Sequence, residues 1–463
     1  MKVKTIVTSV AIASLAMAGS VYAAGNSDAQ MAALQKQVQQ LQAQVNAMGN
    51  SDSHGSTGKM LSTNSDYTFD MINNQTDTVN KELTILKHVQ NGSLSGNGIT
   101  VGVKGDLSAQ YQRVSSNNKT RLNAPIGNLV ATGVAGDWVA GFVNLRLANQ
   151  SNAFIGSGFG VNAPVNNISG FSSVYLQDAY VVVGNLKKSP FYGFAGRKNV
   201  DFGNFNDVSN MVPSMTQSFF MAQADQVGVG YHSDLNKKTT LTTTFTAMNG
   251  GGSGSFNTVT PNGNINDFAA NAKVDMQLSK DMAVHLGGGY INGTGFISSG
   301  NTTASKTGVG AVDLNAGMVM GNEVQNLAVN GEFVVTTHGV RGLQLRNNFS
   351  GNLNNVYSLS TILGWTTSGT GIFTSGSSIK AFNFNTAYTM PIKGHSTVFF
   401  ANYDNVIQNS TNRLYMLNLG GRTEIVNNVW AGGSYVLAGG KMAASGATIP
   451  TSSTVLADVT AYF

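Results

Sequence analysis

From Ile99 to the C-terminus the chain is dominated by alternation. In "DFAANAKVDMQLS", residues 267–279, one phase reads Phe268, Ala270, Ala272, Val274, Met276 and Leu278. The other reads Asp267, Ala269, Asn271, Lys273, Asp275, Gln277 and Ser279. A period of two is the pattern of a β-strand with one apolar and one polar face. It recurs where Val312, Leu314, Ala316, Met318 and Met320 alternate with Asp313 and Asn315, and where Leu327, Val329, Phe333 and Val335 alternate with Asn326, Asn330 and Glu332. Phe382, Phe384 and Tyr388 alternate with Asn383 and Asn385, and Leu343 and Leu345 with Gln344, Arg346 and Asn348. The final "STVLADVTAYF" sets Val455, Ala457, Val459, Ala461 and Phe463 against Asp458 and Thr460. A soluble sandwich would carry more Lys and Glu on its wet face. Here that face holds mainly Asn, Ser, Thr and Gly, which suits a water-filled lumen with lipid outside.

Connections between these strands alternate in length. Short turns fall near Val134–Asp137, Leu186–Ser189, Asp234–Lys237, Ser279–Asp281, Gly321–Glu323, Asn352–Asn354, Pro391–Gly394 and Val426–Asn428. Longer Gly/Ser/Asn-rich loops lie between them, such as 149–171, 203–223 and 250–265. Outer-membrane barrels pair short periplasmic turns with long outer loops. Eight short turns predict nine hairpins and 18 strands. The pairs near 113–136 and 338–356 are weakest, and losing one hairpin gives 16. The expected fold is therefore all-β, a transmembrane antiparallel β-barrel of 16–18 strands with 18 favoured, over residues 99–463. Trp138, Tyr192, Trp365, Tyr388, Tyr403 and Trp430 sit near strand ends or turns, where interfacial aromatics belong.

The N-terminal part reads differently. Lys2 and Lys4 precede an apolar run, and Val21-Tyr22-Ala23 forms a small-x-small cleavage site. This predicts a signal peptide over residues 1–23. Met31, Leu34, Val38, Leu41, Val45 and Met48 then make an a/d seam, predicting a short periplasmic coiled-coil helix over 24–50. The bland alternative is a frayed polar spacer. Residues 51–98 read as a linker with a short helix, in which Val79, Leu83, Leu86 and Gln90 share one face before Gly92, an added strand being the alternative.

Composition narrows the class. The chain has 463 residues, no Cys, and 11% charged residues, against about 25% in soluble domains. Removal of Lys2 and Lys4 leaves 25 basic residues against 22 acidic, an excess too small to suggest nucleic acid. The six histidines are dispersed, and no P-loop, G-x-S-x-G or His-x-x-x-His pattern occurs. An enzyme, a cofactor and a metal are not expected. A TonB-dependent receptor needs a large plug before a barrel of about 22 strands. Only about 75 residues separate the cleavage site from Ile99, and they read as coil and linker.

Strand phase nominates lumen-facing residues. Basic candidates are Arg146, Arg197, Lys273, Arg346 and Arg422; acidic ones are Asp178, Asp201, Asp275, Asp313, Glu332, Asp404 and Glu424. Tyr180 shares the face of Asp178. The mixed signs fit either solute contact or ion pairs bracing the wall, Arg197 with Asp178 or Asp201 among them.

The segment "VYLQDAYVVVGNLKKSPFYGFAGRKNVDFGNF", residues 174–205, resembles the "EAY … GR … FG" hairpin of phosphate-selective and related porins. Together with the Gln-rich N-terminal helix and the terminal Phe463, it looks like the LbtU family of siderophore porins. That resemblance implies an outer-membrane porin passing small hydrophilic solutes, with siderophore uptake independent of TonB. A general or carboxylate/phosphate-type porin is the main alternative, ahead of a structural barrel or a barrel hydrolase. Expected partners are outer-membrane lipid, a small hydrophilic solute or siderophore, and the barrel-assembly machinery reading Phe463. A homotrimer is left open.

Overall fold

A computed structural model describes residues 61–72, 80–94, 97–114, 117–149, 172–205, 212, 214–221, 223–249, 265–292, 310–322, 324–337, 377–408, 413–441 and 448–463. The leader, the Met31–Met48 seam, Arg346 and Trp365 lie outside them. The first elements are β1 (Leu61–Thr63), α1 (Ser65–Ile72) and α2 (Lys81–Gln90). The wall follows: β2 (Ile99–Val114), β3 (Asn117–Ala135), β4 (Val139–Asn149), β5 (Ser172–Gly184), β6 (Phe191–Asn199), β7 (Gln223–Asn236), β8 (Thr239–Asn249), β9 (Ile265–Ser279) and β10 (Met282–Asn292). It continues through β11 (Gly310–Gly321), β12 (Asn326–Thr336), β13 (Lys380–Ile392), β14 (His395–Ile407), β15 (Arg413–Val426), β16 (Val429–Lys441) and β17 (Thr448–Tyr462). A helix α3 (Met215–Phe220) lies between β6 and β7.

Strands β2 to β17 pair antiparallel in chain order, and β17 closes on β2 from Ser452↔Val114 to Tyr462↔Lys104. This is a closed barrel of 16 strands among the described residues, not 18. Seven of the eight expected short turns join neighbouring strands. The turn at Asn352–Asn354 lies outside the described residues, and β12 pairs directly with β13 from Asn326↔Thr389 to Val335↔Lys380. A bond from Thr336 N to Ile379 O extends that pairing, so no hairpin separates the two strands. The alternating segment Leu343–Arg346 lies outside the described residues. The weak 113–136 pair does enter the wall, as β2 and β3.

Closure satisfies the backbone of every wall strand without solvent. At the tight turn between β13 and β14, Lys393 and Gly394 both have positive φ, +51° and +84°. That is the geometry a two-residue hairpin turn requires. One edge needs separate cover. Phe463 exchanges two 2.8 Å backbone bonds with Val103, and there the chain ends. The parallel strand β1 takes over the rest of that edge, Leu61↔Ile99 to Thr63↔Val101.

The outward phase is apolar nearly throughout. Phe191, Val229, Phe245, Leu286, Leu314, Phe384 and Val455 are all exposed on it. A continuous exposed apolar wall on a closed barrel is a lipid-facing surface. On β9 the phase is as expected: Asp267, Ala269 and Asn271 are buried on the inner face, and Phe268 and Leu278 are exposed on the outer. Cysteines placed at Lys273 and Asp275 are expected to react with a bulky aqueous thiol reagent, and those at Val274 and Met276 to stay unlabelled; the opposite pattern would reverse this assignment. Val274→Arg is expected to cost roughly 2–4 kcal/mol in a refolding titration if the site lies at mid-bilayer.

Candidate functional site

The inner wall carries a belt of amides. Across β12 to β14, Asn330 donates to Asn385 (3.1 Å), Asn385 to Asn383 (2.8 Å), and Asn383 to Asn402 (2.7 Å) and Asp404 (2.9 Å). Across β3 to β5, Asn128 donates to Asn144 (2.9 Å) and Gln177 (3.1 Å), and Asn144 to Asp178 (3.0 Å). Alternation places every second residue inside, so an Asn repeated at one level of neighbouring strands becomes a ladder. Near the seam of the barrel an ionic cluster joins it. Lys104 lies 3.1 Å from Asp106 and Arg422 lies 3.7 Å from Asp458. Thr460 donates to both Asp106 (2.6 Å) and Asp458 (3.1 Å).

Two apolar bodies fill space beside this belt. The first is the α1–α2 hairpin, in the region expected to be a linker. Asn64 caps α1 by accepting from Tyr67 N (2.9 Å). Asp70 pairs with His88 (3.0 Å) and Lys81 donates to the Asp70 carbonyl (2.5 Å), tying the helices together. Tyr67, Met71, Ile72, Leu83, Ile85 and Leu86 are buried in one cluster with Val130, Phe142, Tyr180, Val182, Tyr192 and Phe194 from β3 to β6. Those strand residues share the phase of Asn128 and Lys198, so the hairpin sits inside the barrel. Burial pushes the Tyr67 phenol above its ordinary pKa, so it stays protonated in its 2.6 Å hydrogen bond with Thr132. A Cβ on Gly102 would come within 1.9 Å of Thr68 Oγ1, so α1 approaches β2 as closely as glycine permits. Lys187, in the β5–β6 turn, donates to the Gln90 carbonyl at the mouth (2.6 Å), and Lys198, at the far end of β6, lies 2.8 Å from Glu82. The α2 axis therefore runs along β6, its N-terminal end deepest. The lumen thus holds a two-helix filling built from the short segment before Ile99, far smaller than the plug of a TonB-dependent receptor.

The second body is the connection from β6 to β7, which turns inward. Glu332 accepts from Asn204 N (2.9 Å) and Phe205 N (3.1 Å), and Asp313 from Gly203 N (3.2 Å). Gly203 has φ +74°, and a Cβ there would lie 2.8 Å from Glu332 Oε1. Phe202, Phe205, Val212, Met215 and Phe220 then pack into a cluster with inner-wall residues such as Val334, Phe400, Met416 and Leu456.

The nominated residues separate accordingly. Arg146 and Arg422 are buried on the inner face, the latter with Asp458 and 5.7 Å from the Trp430 ring. Asp178 belongs to the amide belt. Tyr180 lies beneath the hairpin, its ring 5.3 Å from Phe142. Lys273 and Asp275 face inward, 3.6 Å apart. Asp313 and Glu332 anchor the inner loop, and Glu424 accepts from Asn428 N in a turn. Asp201 is buried against Lys198.

Arg197 is a correction. It opposes Ala179 on the outward phase and pairs at 3.5 Å with Asp225, both partly exposed, rather than with Asp178 or Asp201. Lys198 is the inward residue. The phase was misread because Phe194 looks lipid-facing; it faces inward, where the hairpin makes the lumen apolar. Tyr192 and Trp430 also face inward, whereas Tyr388 and Tyr403 lie on the outer phase. Arg197→Ala is expected to change stability by less than about 1 kcal/mol and to leave conductance unchanged in planar bilayers.

Lys104, Asp106, Lys198 and Glu82 were missed. The first two alternate in "VKGD" on β2 and were legible; Glu82 sits on a helix, where strand phase is silent. Among the described residues no group of three or more His, Cys, Asp or Glu side chains is placed to hold a metal. The inner face offers many hydrogen bonds and balanced charges, the lining of a passage for polar solutes.

No protein-family model matches the chain, and no curated protein is similar to it. Solved structures resemble it weakly. The anion-selective porin from Comamonas acidovorans is 10% identical with a TM-score of 0.47, covering 79% of this chain and 99% of its own. The outer-membrane channel DcaP of Acinetobacter baumannii is 12% identical with a TM-score of 0.46, covering 80% of this chain and 100% of its own. The trimer form of OmpT, an outer-membrane protein of Vibrio cholerae, is 13% identical with a TM-score of 0.46, covering 79% and 99%. The barrel assignment stands on the strand pairing itself.

Proposed function

We propose that the protein is an outer-membrane porin for small hydrophilic solutes. The observation that carries this reading is a hydrogen-bonded amide belt on the inner face of a closed barrel whose outer face is apolar. Weak, repeated hydrogen bonds let a solute enter and leave, which conduction requires. Within that class we infer uptake of a siderophore without TonB. Its support is the sequence resemblance to the LbtU family in the 174–205 hairpin, the Gln-rich N-terminus and Phe463. The balanced inner charges favour the general porin as the second reading. Residues 1–23 act as the export signal, residues 24–50 form the periplasmic coil, and a homotrimer is the assembly that coil would serve.

Uptake of labelled solutes separates the two readings. In cells lacking TonB, with matched barrel abundance, siderophore-bound iron is expected to enter only when this protein is present. Equal siderophore uptake with and without it, alongside faster entry of small sugars and amino acids, would leave the general porin. Lys273→Gln is expected to slow entry of an anionic solute most at low salt, where screening is weakest.

A further inference from the structure

We propose that the α1–α2 hairpin is a gate and that Lys198 is its latch. This rests on the porin reading. Lys198 stands at the deep end of the hairpin, 3% exposed, with its ammonium 2.8 Å from Glu82 of α2. It also pairs with Asp201, at the start of the inner loop, and lies 4.3 Å from the Phe194 ring centroid. One ammonium on the wall thus serves two buried carboxylates, Glu82 on the hairpin and Asp201 at the start of the inner loop. When the hairpin leaves, Asp201 keeps Lys198 paired and aimed, and Glu82 passes into water. The wall side of the latch survives opening and is ready for reclosure.

The seam beneath the hairpin marks it as an opening surface rather than a permanent filling. Glu82 Oε1 and the Tyr180 hydroxyl are buried there without a hydrogen-bond partner. A buried polar atom left unpaired destabilises the state that buries it, and hydration on opening restores those bonds. The closed state is held by apolar packing against that cost, and the ion pair at the tip decides the balance. Asp70–His88 and Lys81 to the Asp70 carbonyl tie the two helices to each other, so the hairpin can move as a unit; its hydrogen bonds to the wall, Tyr67 with Thr132 and Lys187 to the Gln90 carbonyl, break on opening.

The test uses the full-length protein in planar bilayers. Wild type is expected to be mostly closed with brief openings. Lys198→Met leaves Glu82 and Asp201 facing each other without a counterion, and the open fraction is expected to rise at least about tenfold. Adding Glu82→Gln and Asp201→Asn to Lys198→Met removes the repulsion and should return the open fraction toward wild type. A second variant avoids the latch. A Cβ at Gly102 would lie 2.8 Å from Thr68 Cβ, so Thr68→Cys with Gly102→Cys forms a disulfide once α1 yields by about 1 Å. The chain has no cysteine of its own. Oxidised, this variant should stay closed; reduced, it should open. Unchanged gating in Lys198→Met, or conductance indifferent to the redox state of the cysteine pair, would overturn the gate. Absence of ion conduction in all variants, including one lacking residues 64–94, would instead overturn the porin reading.

Discussion

Deleting residues 64–94 is expected to raise single-channel conductance several-fold while leaving a folded barrel. The wall does not need these residues for closure, because β17 pairs with β2 over eleven registered positions from Ser452↔Val114 to Tyr462↔Lys104. What they supply is volume. Tyr67, Ile72, Ile85 and Leu86 cover the inner faces of β3 to β6, and their removal gives that cross-section to water. The uncovered Phe142, Tyr180, Val182 and Phe194 then meet solvent, so heat-modifiability on a gel should appear at lower temperature even as conductance rises. An unchanged conductance would mean that ions already pass beside the hairpin.

The second large effect is expected at Glu332. Its carboxylate is buried and holds two backbone N–H groups of the inner loop, Asn204 and Phe205. Glu332→Ala removes both acceptors and leaves those donors without them. A typical hydrogen bond contributes about 0.5–1.5 kcal/mol net and an unpaired buried donor costs about 1–3 kcal/mol, so the loop should lose roughly 2 kcal/mol or more of local stability. Proteinase K should then cut within residues 203–221 of the folded protein, and current noise in the open state should increase. Glu332→Gln keeps one acceptor and should fall between. Protection equal to wild type in Glu332→Ala would show that the Phe202–Phe220 packing alone holds the loop.

What could be read from the sequence follows from which solvents each strand meets. Strands β9, β13 and β17 separate lipid from amide belt, so apolar and polar phases map directly onto outside and inside. On β6 that rule fails, because the inside is itself apolar. Tyr192 and Phe194 pack on α2 while Arg197 finds Asp225 at the outer surface. The α2 face was legible from Leu83 and Leu86, but periodicity says which side of a helix is apolar and not what covers it. The strand count failed for a related reason. Residues 343–346 alternate as wall strands do but lie outside the described residues, and among those β12 pairs directly with β13.

The placement of β1 has a kinetic consequence. Leu61–Thr63 is hydrogen-bonded to Ile99–Val101, and the chain leaving α2 runs back to the same point, with Gly98 O accepting from Val134 N. Both ends of the hairpin are therefore moored to the first residues of β2. A hairpin displaced from the lumen becomes a closed loop whose base stays at the periplasmic rim, not a free chain. Its rebinding is intramolecular, at an effective concentration that short tethers place in the millimolar range, and the entropy of closing so short a loop is small. Openings should be brief and independent of protein concentration, and hairpin supplied in trans as a separate peptide should compete poorly with the tethered one.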